Sequence, residues 1–327
     1  MKSVRSLKSP VALRTFSYHK IEGMKARFIL SVVLSATVAL WLVSCQEDIP
    51  VPDVEEPMGG FDKNGASLAV FSVAEGHTVR FSRGNLQHRP STGCWRFAEN
   101  QYDTIGGDNV AFYDLAYGYI PSVSTYSGWI DLFSFYVEGS GLDVSSYYNS
   151  KNTDMPEDTT NIDWAWHNAI QNGGDKAYFW RTMTKDEWMY LLQGRPNAAS
   201  RCGDATVNGV NGLVILPDEW ISPSQHVFTP GFHNYGGVNV YTAEEWLTMQ
   251  EAGAIFLPAE GLFNGENLYA AREWGCYWTS TAVYYAQEHK YYANHLIFNG
   301  YGTISPGVVY CALNGYAVRP VLDEKQD

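Results

Sequence analysis

The sequence predicts an α+β domain in which short strands outnumber helices and long loops join them. Two observations predict this class. The segments "MTKDEWMYLLQG" and "YTAEEWLTMQEAG" share one helix-start pattern. Many other segments are short, apolar or alternating, and bounded by Gly, Pro or Asn, which is typical of strands.

In chain order, the predicted strands lie in "SLAVFSV", "HTVRFS", "GLVILP", "GAIFLP", "CYWTST", "NHLIFN", "GVVYCA" and "GYAVRPV". The first two form a hairpin around Glu75 and Gly76. The third and fourth are unbroken apolar runs stopped by proline, as expected for buried strands. Arg319 in the last segment is unusual for a buried strand, so we expect it to form an internal ion pair or bonds to loop carbonyls.

Both predicted helices are short and amphipathic, and each begins with a capping box. Thr184 and Thr242 are each followed by Glu three residues later, and Gly194 and Gly253 offer left-handed stops. A third, weaker helix is predicted after Asp163. The large apolar residues on these elements and strands are assigned to the core, which for tryptophan means Trp164, Trp166, Trp188, Trp246 and Trp278.

The N-terminal region predicts export. From Met24, which we take as the true start, a short basic stretch precedes an apolar run that ends in "LVSC" at Cys45. Residues 1–44 are therefore predicted to be a signal peptide. Cys45 resembles the lipidated cysteine of bacterial lipoproteins, whose acyl chains hold the protein at the membrane. A membrane-spanning helix is the alternative, although the apolar run is shorter than the roughly 20 residues that a span needs.

Composition divides the remainder of the chain. Residues 45–66 are rich in Pro, Gly and acidic residues and are predicted to be the lipidated N-terminus and a flexible acidic tether. Residues 67–323 are then expected to form a single domain. Seven of the 22 basic residues but only one of the 35 acidic residues precede Cys45, which leaves 15 basic and 34 acidic residues. Such an acidic surface repels nucleic acid, so no nucleic-acid partner is expected.

Four cysteines follow the predicted lipidation site: Cys94, Cys202, Cys276 and Cys311. An even number in an exported protein permits two disulfides, with three connectivities. We favour a bridge between Cys276 and Cys311, because both lie in predicted strands of the C-terminal region.

Several segments follow one another in a recognisable order: "VRFSRGNLQHRPSTGCWRFAENQYD", "WRTMTKDEWMYLLQGR", "NGLVILPDEW", "GAIFLPAEG", "YWTSTA" and "GYAVRPV". In this order they resemble the FISUMP-type (major paralogous domain) proteins of exported bacterial lipoproteins. Those are similar in turn to the C-type-lectin-like and formylglycine-generating-enzyme folds. The resemblance covers Phe71 to Leu322. It implies a C-type-lectin-like domain with small twisted antiparallel sheets, two flanking helices and long loops, in which the last strands and loops make the ligand face.

The motifs of several chemistries do not occur in the sequence. Formylglycine-generating enzymes use two closely spaced cysteines, whereas Cys276 and Cys311 stand 35 positions apart. The EPN, QPD and WND motifs of calcium-dependent lectins are missing, as are H-E-x-x-H, G-x-S-x-G and P-loop motifs. One acidic segment offers calcium ligands without the spacing of an EF-hand, at Asp154, Glu157, Asp158 and Asp163. We therefore predict no metal or cofactor and do not expect an enzyme.

An aromatic segment near the C-terminus gives the functional prediction. Residues 283–294, "VYYAQEHKYYAN", lack apolar periodicity and are predicted to be a loop between two strands. Tyrosine offers wide amphipathic contact at low entropic cost, which suits a sugar ring or a protein surface. The candidate ligand-binding residues are Tyr284, Tyr285, His289, Tyr291, Tyr292, Asn294, His295, Asn299 and Tyr301.

The expected function is that of an adhesin-like outer-membrane lipoprotein, on the periplasmic or the outer surface of the cell envelope. Its lectin-like domain is expected to bind a glycan or a protein through the C-terminal aromatic segment. Two alternatives remain open from the sequence. One is a structural or assembly component of a surface appendage, and the other is a variable protein of a diversity-generating retroelement.

Overall fold

The computed structural model describes residues 59–110, 126–133, 135, 163–264, 267–285, 290–310 and 314–324. The chain divides into two units, Met1–Pro50 and Val51–Asp327, and all described residues belong to the second. Their architecture is mixed α+β, with small, mostly antiparallel sheets and few short helices. The predicted class is therefore confirmed at this level.

The described residues form fourteen strands, β1 to β14, which run in chain order over Phe71–Ala74, His77–Phe81, Leu86–Arg89, Cys94–Phe97, Cys202–Val207, Val210–Ile215, Val240–Tyr241, Ile255–Pro258, Leu262–Asn264, Asn267–Tyr269, Trp274–Tyr285, Lys290–Asn299, Ile304–Tyr310 and Val321–Asp323. The α-helices α1 to α3 are Trp164–His167, Lys185–Met189 and Ala243–Glu251. A π-helical turn, Tyr190–Gly194, continues α2, and 3-10 turns lie at Gly106–Val110, Gln171–Gly173 and Ala198–Ser200.

The strands form five small sheets. Their orders are β1-β2-β14, β3-β4, β7-β5-β6-β8, β9-β10 and β11-β12-β13. All the pairings are antiparallel except that of β5 with β7. The predicted opening hairpin is confirmed, since β1 pairs with β2 and Gly76 takes a φ of 71° in the turn between them.

Three clusters of buried apolar residues hold the sheets and helices together. One gathers apolar residues from β3, β4, α1 and β11, including Trp95, Trp164 and Trp278. A second joins the opening sheet to α2 and β12, with Trp188 among its members. A third lies under α3 around Trp246. The predicted core role is confirmed for Trp164, Trp188, Trp246 and Trp278, all of which are buried.

The capping box of α2 forms as predicted. The amide of Glu187 donates to the Thr184 hydroxyl at 3.2 Å, and the Thr184 amide donates to the Glu187 carboxylate at 2.7 Å. The predicted left-handed stop at Gly194 is wrong, because Gly194 is not among the glycines that have a positive φ. The helix instead ends at Arg195, whose guanidinium is held by Asp218 at 2.8 Å.

Helix α3 begins with the predicted capping box of Thr242 and Glu245 and ends close to Gly253, which has a φ of 98°. Arg319, in the stretch before β14, donates bonds of 2.8–2.9 Å to Asn85, Gln101 and the carbonyl of Phe256. The prediction of an ion pair or of bonds to loop carbonyls is therefore wrong in its detail, because the acceptors are two side-chain amide oxygens and a carbonyl of β8.

The predicted loop over residues 283–294 is wrong. Strands β11 and β12 pair from Trp274 opposite Asn299 to Tyr285 opposite Lys290, with an irregularity between Trp278 and Ala282. Residues 283–285 and 290–294 are therefore strand, and only residues 286–289 lie outside the described part of the chain. We call β11 and β12 the tyrosine hairpin. Tyrosine favours strands, and this preference prevails where the apolar alternation is missing.

The predicted tether is wrong at its C-terminal end. Phe61 is 1% exposed and belongs to the core, and Asp62 pairs with Arg80 at 2.6 Å. Phe61 also bridges to Ser67, and Ala66 to Ser82. Residues 59–66 are thus part of the folded domain, because one buried aromatic residue and one ion pair anchor them.

The predicted disulfide between Cys276 and Cys311 involves a residue outside the described part of the chain, because Cys311 is not among the described residues. Cys276 is buried in the structure as a free thiol.

Candidate functional site

The structure separates the predicted ligand residues into three groups. Tyr284, Tyr285 and Tyr291 lie on the tyrosine hairpin, where only their backbone is described, and His289 lies outside the described residues. Tyr292 is half-buried, and Tyr301 is 75% exposed just after β12. The remaining three are buried: Asn294, His295 and Asn299.

The prediction that these three buried residues contact a ligand is wrong, because each has an internal role. The Asn294 side chain donates to the carbonyl of Thr281 at 3.4 Å. The ring of His295 packs on Tyr316, with centroids 4.6 Å apart, and burial lowers the pKa of His295 to about 4. The Asn299 side chain accepts two backbone bonds in the turn after β12, from Tyr301 at 2.9 Å and from residue 303 at 3.1 Å.

Within the tyrosine hairpin, register brings one pair of tyrosines opposite each other. Tyr284 is opposite Tyr291, and Val283 is opposite Tyr292. Opposed positions of an antiparallel pair share one face of the sheet, so Tyr284 and Tyr291 occupy the same face. The sequence therefore identified the aromatic positions correctly but placed them on a loop.

A cleft of about 490 Å³ opens beside the root of this hairpin. We call it the Trp166 cleft. Helix α1 contributes Trp166 and His167, and β11 contributes Ser280. Its other walls come from the start of β2, the cap of α1, the segment before α2, α2 itself and β14. The lining residues there include His77, Asp163, Arg181, Thr182, Glu187 and Asp323.

Helix α1 is a single turn, and Asp163 fixes its start. The Asp163 carboxylate accepts bonds from the amide of Ala165 at 3.0 Å and of Thr182 at 2.8 Å. It also accepts the Thr182 hydroxyl at 2.7 Å, which ties the helix to the segment before α2. Burial raises the pKa of Asp163, and the bonds from Thr182 oppose this shift. Asp163 is thus the cap of helix α1.

Trp166 is 41% exposed, so the predicted core role of this residue is wrong. Residues two positions apart on a helix do not share a face. Trp164 enters the core, and Trp166 therefore points away from it, towards the cleft. The spacing of the two tryptophans in "WAWH" was the signal in the sequence that only one of them could be buried.

Tyr178 stands next to Trp166 at the rim of the Trp166 cleft. The two rings meet edge to face, with centroids 5.6 Å apart and planes at 69°. The Tyr178 amide donates to the carbonyl of Trp166 at 2.6 Å. Tyr178 has a φ of 61°, which is a strained conformation for a bulky side chain.

The charged residues of the cleft bind one another. Arg181 donates to Glu187 at 2.7 and 2.9 Å and to Asp323 at 2.6 and 3.0 Å. The His77 ring lies 3.0 Å from Asp323. Burial acts to lower the pKa of Arg181, but the bonds that it donates to Asp323 and Glu187 outweigh burial and raise the pKa. Burial likewise acts to raise the pKa of Asp323, and Arg181 reverses that shift so that the pKa is lowered.

A second polar cluster is fully buried and lies apart from the cleft lining. Asp131 and Glu260 have neighbouring carboxyl groups. The Asp131 oxygens accept bonds from Ile105 at 2.7 Å and Asn109 at 2.8 Å, whereas Glu260 Oε2 finds no donor among the described residues. Burial, and then the charge of Asp131, raises the pKa of Glu260. Of the two carboxyl groups, Glu260 is the one whose protonated form is favoured by both burial and the neighbouring charge.

The described residues contain no group of three or more His, Cys, Asp and Glu side chains arranged to hold a metal ion. Three of the acidic residues considered for calcium, Asp154, Glu157 and Asp158, lie outside the described ranges. Among the helices described, none is long and apolar enough to span a membrane.

Comparison of the chain with protein-family models, curated proteins and solved structures finds no match. The resemblance to FISUMP-type lipoproteins, and the C-type-lectin-like fold that it implies, therefore stay predictions.

Proposed function

We propose that this chain is a cell-envelope lipoprotein whose C-type-lectin-like domain recognises a glycan or a protein at the Trp166 cleft and the adjoining tyrosine hairpin. The observation that carries the proposal is the cleft itself. Its volume of about 490 Å³ lies within the range of roughly 300–1,000 Å³ that is usual for ligand sites. It combines an exposed aromatic side chain with several convergent polar groups.

Strand β11 contributes both to the cleft and to the tyrosine hairpin. Ser280 lines the cleft, and Tyr284 follows four residues later on β11. This separation amounts to about 13 Å of strand. A ligand that fills the cleft and extends along β11 therefore reaches the aromatic positions that the sequence singled out.

The charged groups of the cleft already pair with one another, and this favours recognition over catalysis. Arg181, Glu187 and Asp323 satisfy one another in a fixed arrangement that also ties β14 to α2. A preformed, charge-compensated wall holds a ligand by shape and hydrogen bonds. Membrane attachment through a lipid on Cys45 is the part of the proposal that depends on the sequence alone.

Binding assays on single variants test the site. We expect Trp166→Ala to lose the ligands that the wild-type protein retains on a glycan array or in a pull-down from envelope extracts. Tyr269→Ala is the matched control, because Tyr269 is an exposed aromatic residue outside the cleft lining. If Trp166→Ala keeps every ligand of the wild type, the cleft is not the recognition site.

A further inference from the structure

We propose that the Trp166 cleft binds an uncharged saccharide, with one sugar ring stacked on the indole of Trp166. This inference rests on the proposed recognition function and adds the chemical class of the ligand. It is carried by the aromatic rim, by the strain at Tyr178 and by the charge balance of the cleft.

The aromatic rim offers a flat apolar face in water. Trp166 is 41% exposed and Tyr178 is 63% exposed, although large aromatic side chains gain most when they are buried. Their edge-to-face contact fixes the indole plane at the mouth of the cleft. The C–H face of a pyranose ring is of matching size and apolarity, so stacking buries both surfaces.

Strain at Tyr178 is the independent observation. A φ of 61° is costly for a bulky residue, and burial does not offset the cost because the ring is mostly outside the core. Asp175 and Gly174 also have positive φ values, of 51° and 88°. Strained residues concentrate at ligand clamps. The turn therefore holds Tyr178 against Trp166 at a conformational cost.

Charge balance selects an uncharged ligand. All three guanidinium nitrogens of Arg181 already donate to Glu187 or Asp323. An anionic ligand has to displace these carboxylates, and a cationic ligand has to displace the guanidinium. Neither exchange is favoured, because each leaves a partly buried charge unpaired.

Polar groups that remain available suit hydroxyl partners. The hydroxyl of Ser280 makes no hydrogen bond within the described part of the chain, and the exposed ring of His167 lies edge to face with Tyr178. Asp323 keeps an exposed carboxylate edge beside His77. Hydroxyl groups both donate and accept, so a sugar can satisfy these groups together with the aromatic face.

Isothermal titration against neutral and acidic oligosaccharides tests the ligand class. The neutral panel contains gluco-, manno- and galacto-oligosaccharides, and the acidic panel contains oligogalacturonates and sialylated oligosaccharides. We expect at least one neutral member to bind, with an affinity that stays unchanged between low and high salt because no net charge is paired. Trp166→Ala should weaken binding at least about tenfold, and Tyr269→Ala should not.

Tyr178→Gly separates a ligand role from a structural one. Glycine accepts a positive φ, so this variant keeps the turn and removes only the ring. We expect an unchanged or raised unfolding temperature together with weaker saccharide binding.

Binding to acidic oligosaccharides alone, or to no neutral member, overturns the inference. If a protein ligand instead depends on Trp166, the recognition function stands and only the saccharide class is wrong. If no ligand of any kind depends on Trp166, both proposals fail.

Discussion

At the scale of the residue, Asp131 and Glu260 place two buried carboxyl groups beside each other. When two buried carboxyl groups are neighbours, the charge of one disfavours ionisation of the other. Asp131 has donors for both oxygens, whereas Glu260 Oε2 has none among the described residues, so the protonated form is favoured on Glu260. Burial raises the pKa of both groups, and Glu260 is affected more strongly by the neighbouring charge.

The pair predicts a stability that falls as pH rises. A raised folded-state pKa stabilises the protein below the unfolded-state pKa, near 4.5 for Glu, and the effect is lost as pH rises through the folded-state value. Glu260→Gln mimics the protonated acid, so we expect its free energy of unfolding to fall less with rising pH than that of the wild type. Urea denaturation at pH 5 and pH 8 measures the difference between the two proteins.

Asp131→Asn is the contrasting variant for this experiment. Its amide has to face the amide donors of Ile105 or Asn109, which leaves a buried donor unsatisfied. We expect a loss of about 1–3 kcal/mol at both pH values. Equal behaviour of Glu260→Gln and Asp131→Asn contradicts the assignment of the proton to Glu260.

At the scale of the element, local sequence patterns predicted what local physics controls. Both capping boxes form, because a Thr side chain and a Glu three residues later need only each other. The end of α2 was not predictable, since Arg195 is positioned by Asp218, a residue from a distant part of the chain. The strand residues 283–285 and 290–294 of the tyrosine hairpin were missed because β11 and β12 pair there without apolar alternation in the sequence.

Removing one cap tests the contribution of this local pattern. Thr242→Ala leaves the Glu245 amide without its 3.2 Å acceptor, and we expect the free energy of unfolding to fall by about 1 kcal/mol. Thr248→Ala, within α3, should be neutral or slightly stabilising, because alanine is the better helix former. Chemical denaturation of both variants gives the comparison, and an equal loss in the two rules out capping as the cause.

At the scale of the whole molecule, tertiary packing decided what composition could not. The acidic, Pro-rich N-terminal segment reads as a tether, yet Phe61 inserts its ring into the core beside the opening sheet. The Trp166 cleft likewise depends on α1, α2, β11 and β14 meeting in space. Trp166 and Asp163 were singled out from the sequence, but no pattern in it predicts that they lie beside Arg181 and Asp323.

The inclusion of residues 59–66 in the folded domain leads to a direct prediction. Phe61→Ala removes a fully buried aromatic side chain, and we expect a loss of about 3–5 kcal/mol in the free energy of unfolding. Leu68→Ala, at an exposed neighbouring position, should change it by less than about 0.5 kcal/mol. Thermal and urea unfolding distinguish the two. Similar stability of both variants contradicts the finding that residues 59–66 belong to the domain.

The central claim is that the domain recognises its ligand at the Trp166 cleft. The most direct measurement is a glycan-array profile of the wild-type protein beside Trp166→Ala and Tyr269→Ala, each shown to be folded by circular dichroism. We predict neutral-glycan signals in the wild type and in Tyr269→Ala that disappear in Trp166→Ala. Signals that persist unchanged in Trp166→Ala contradict the claim.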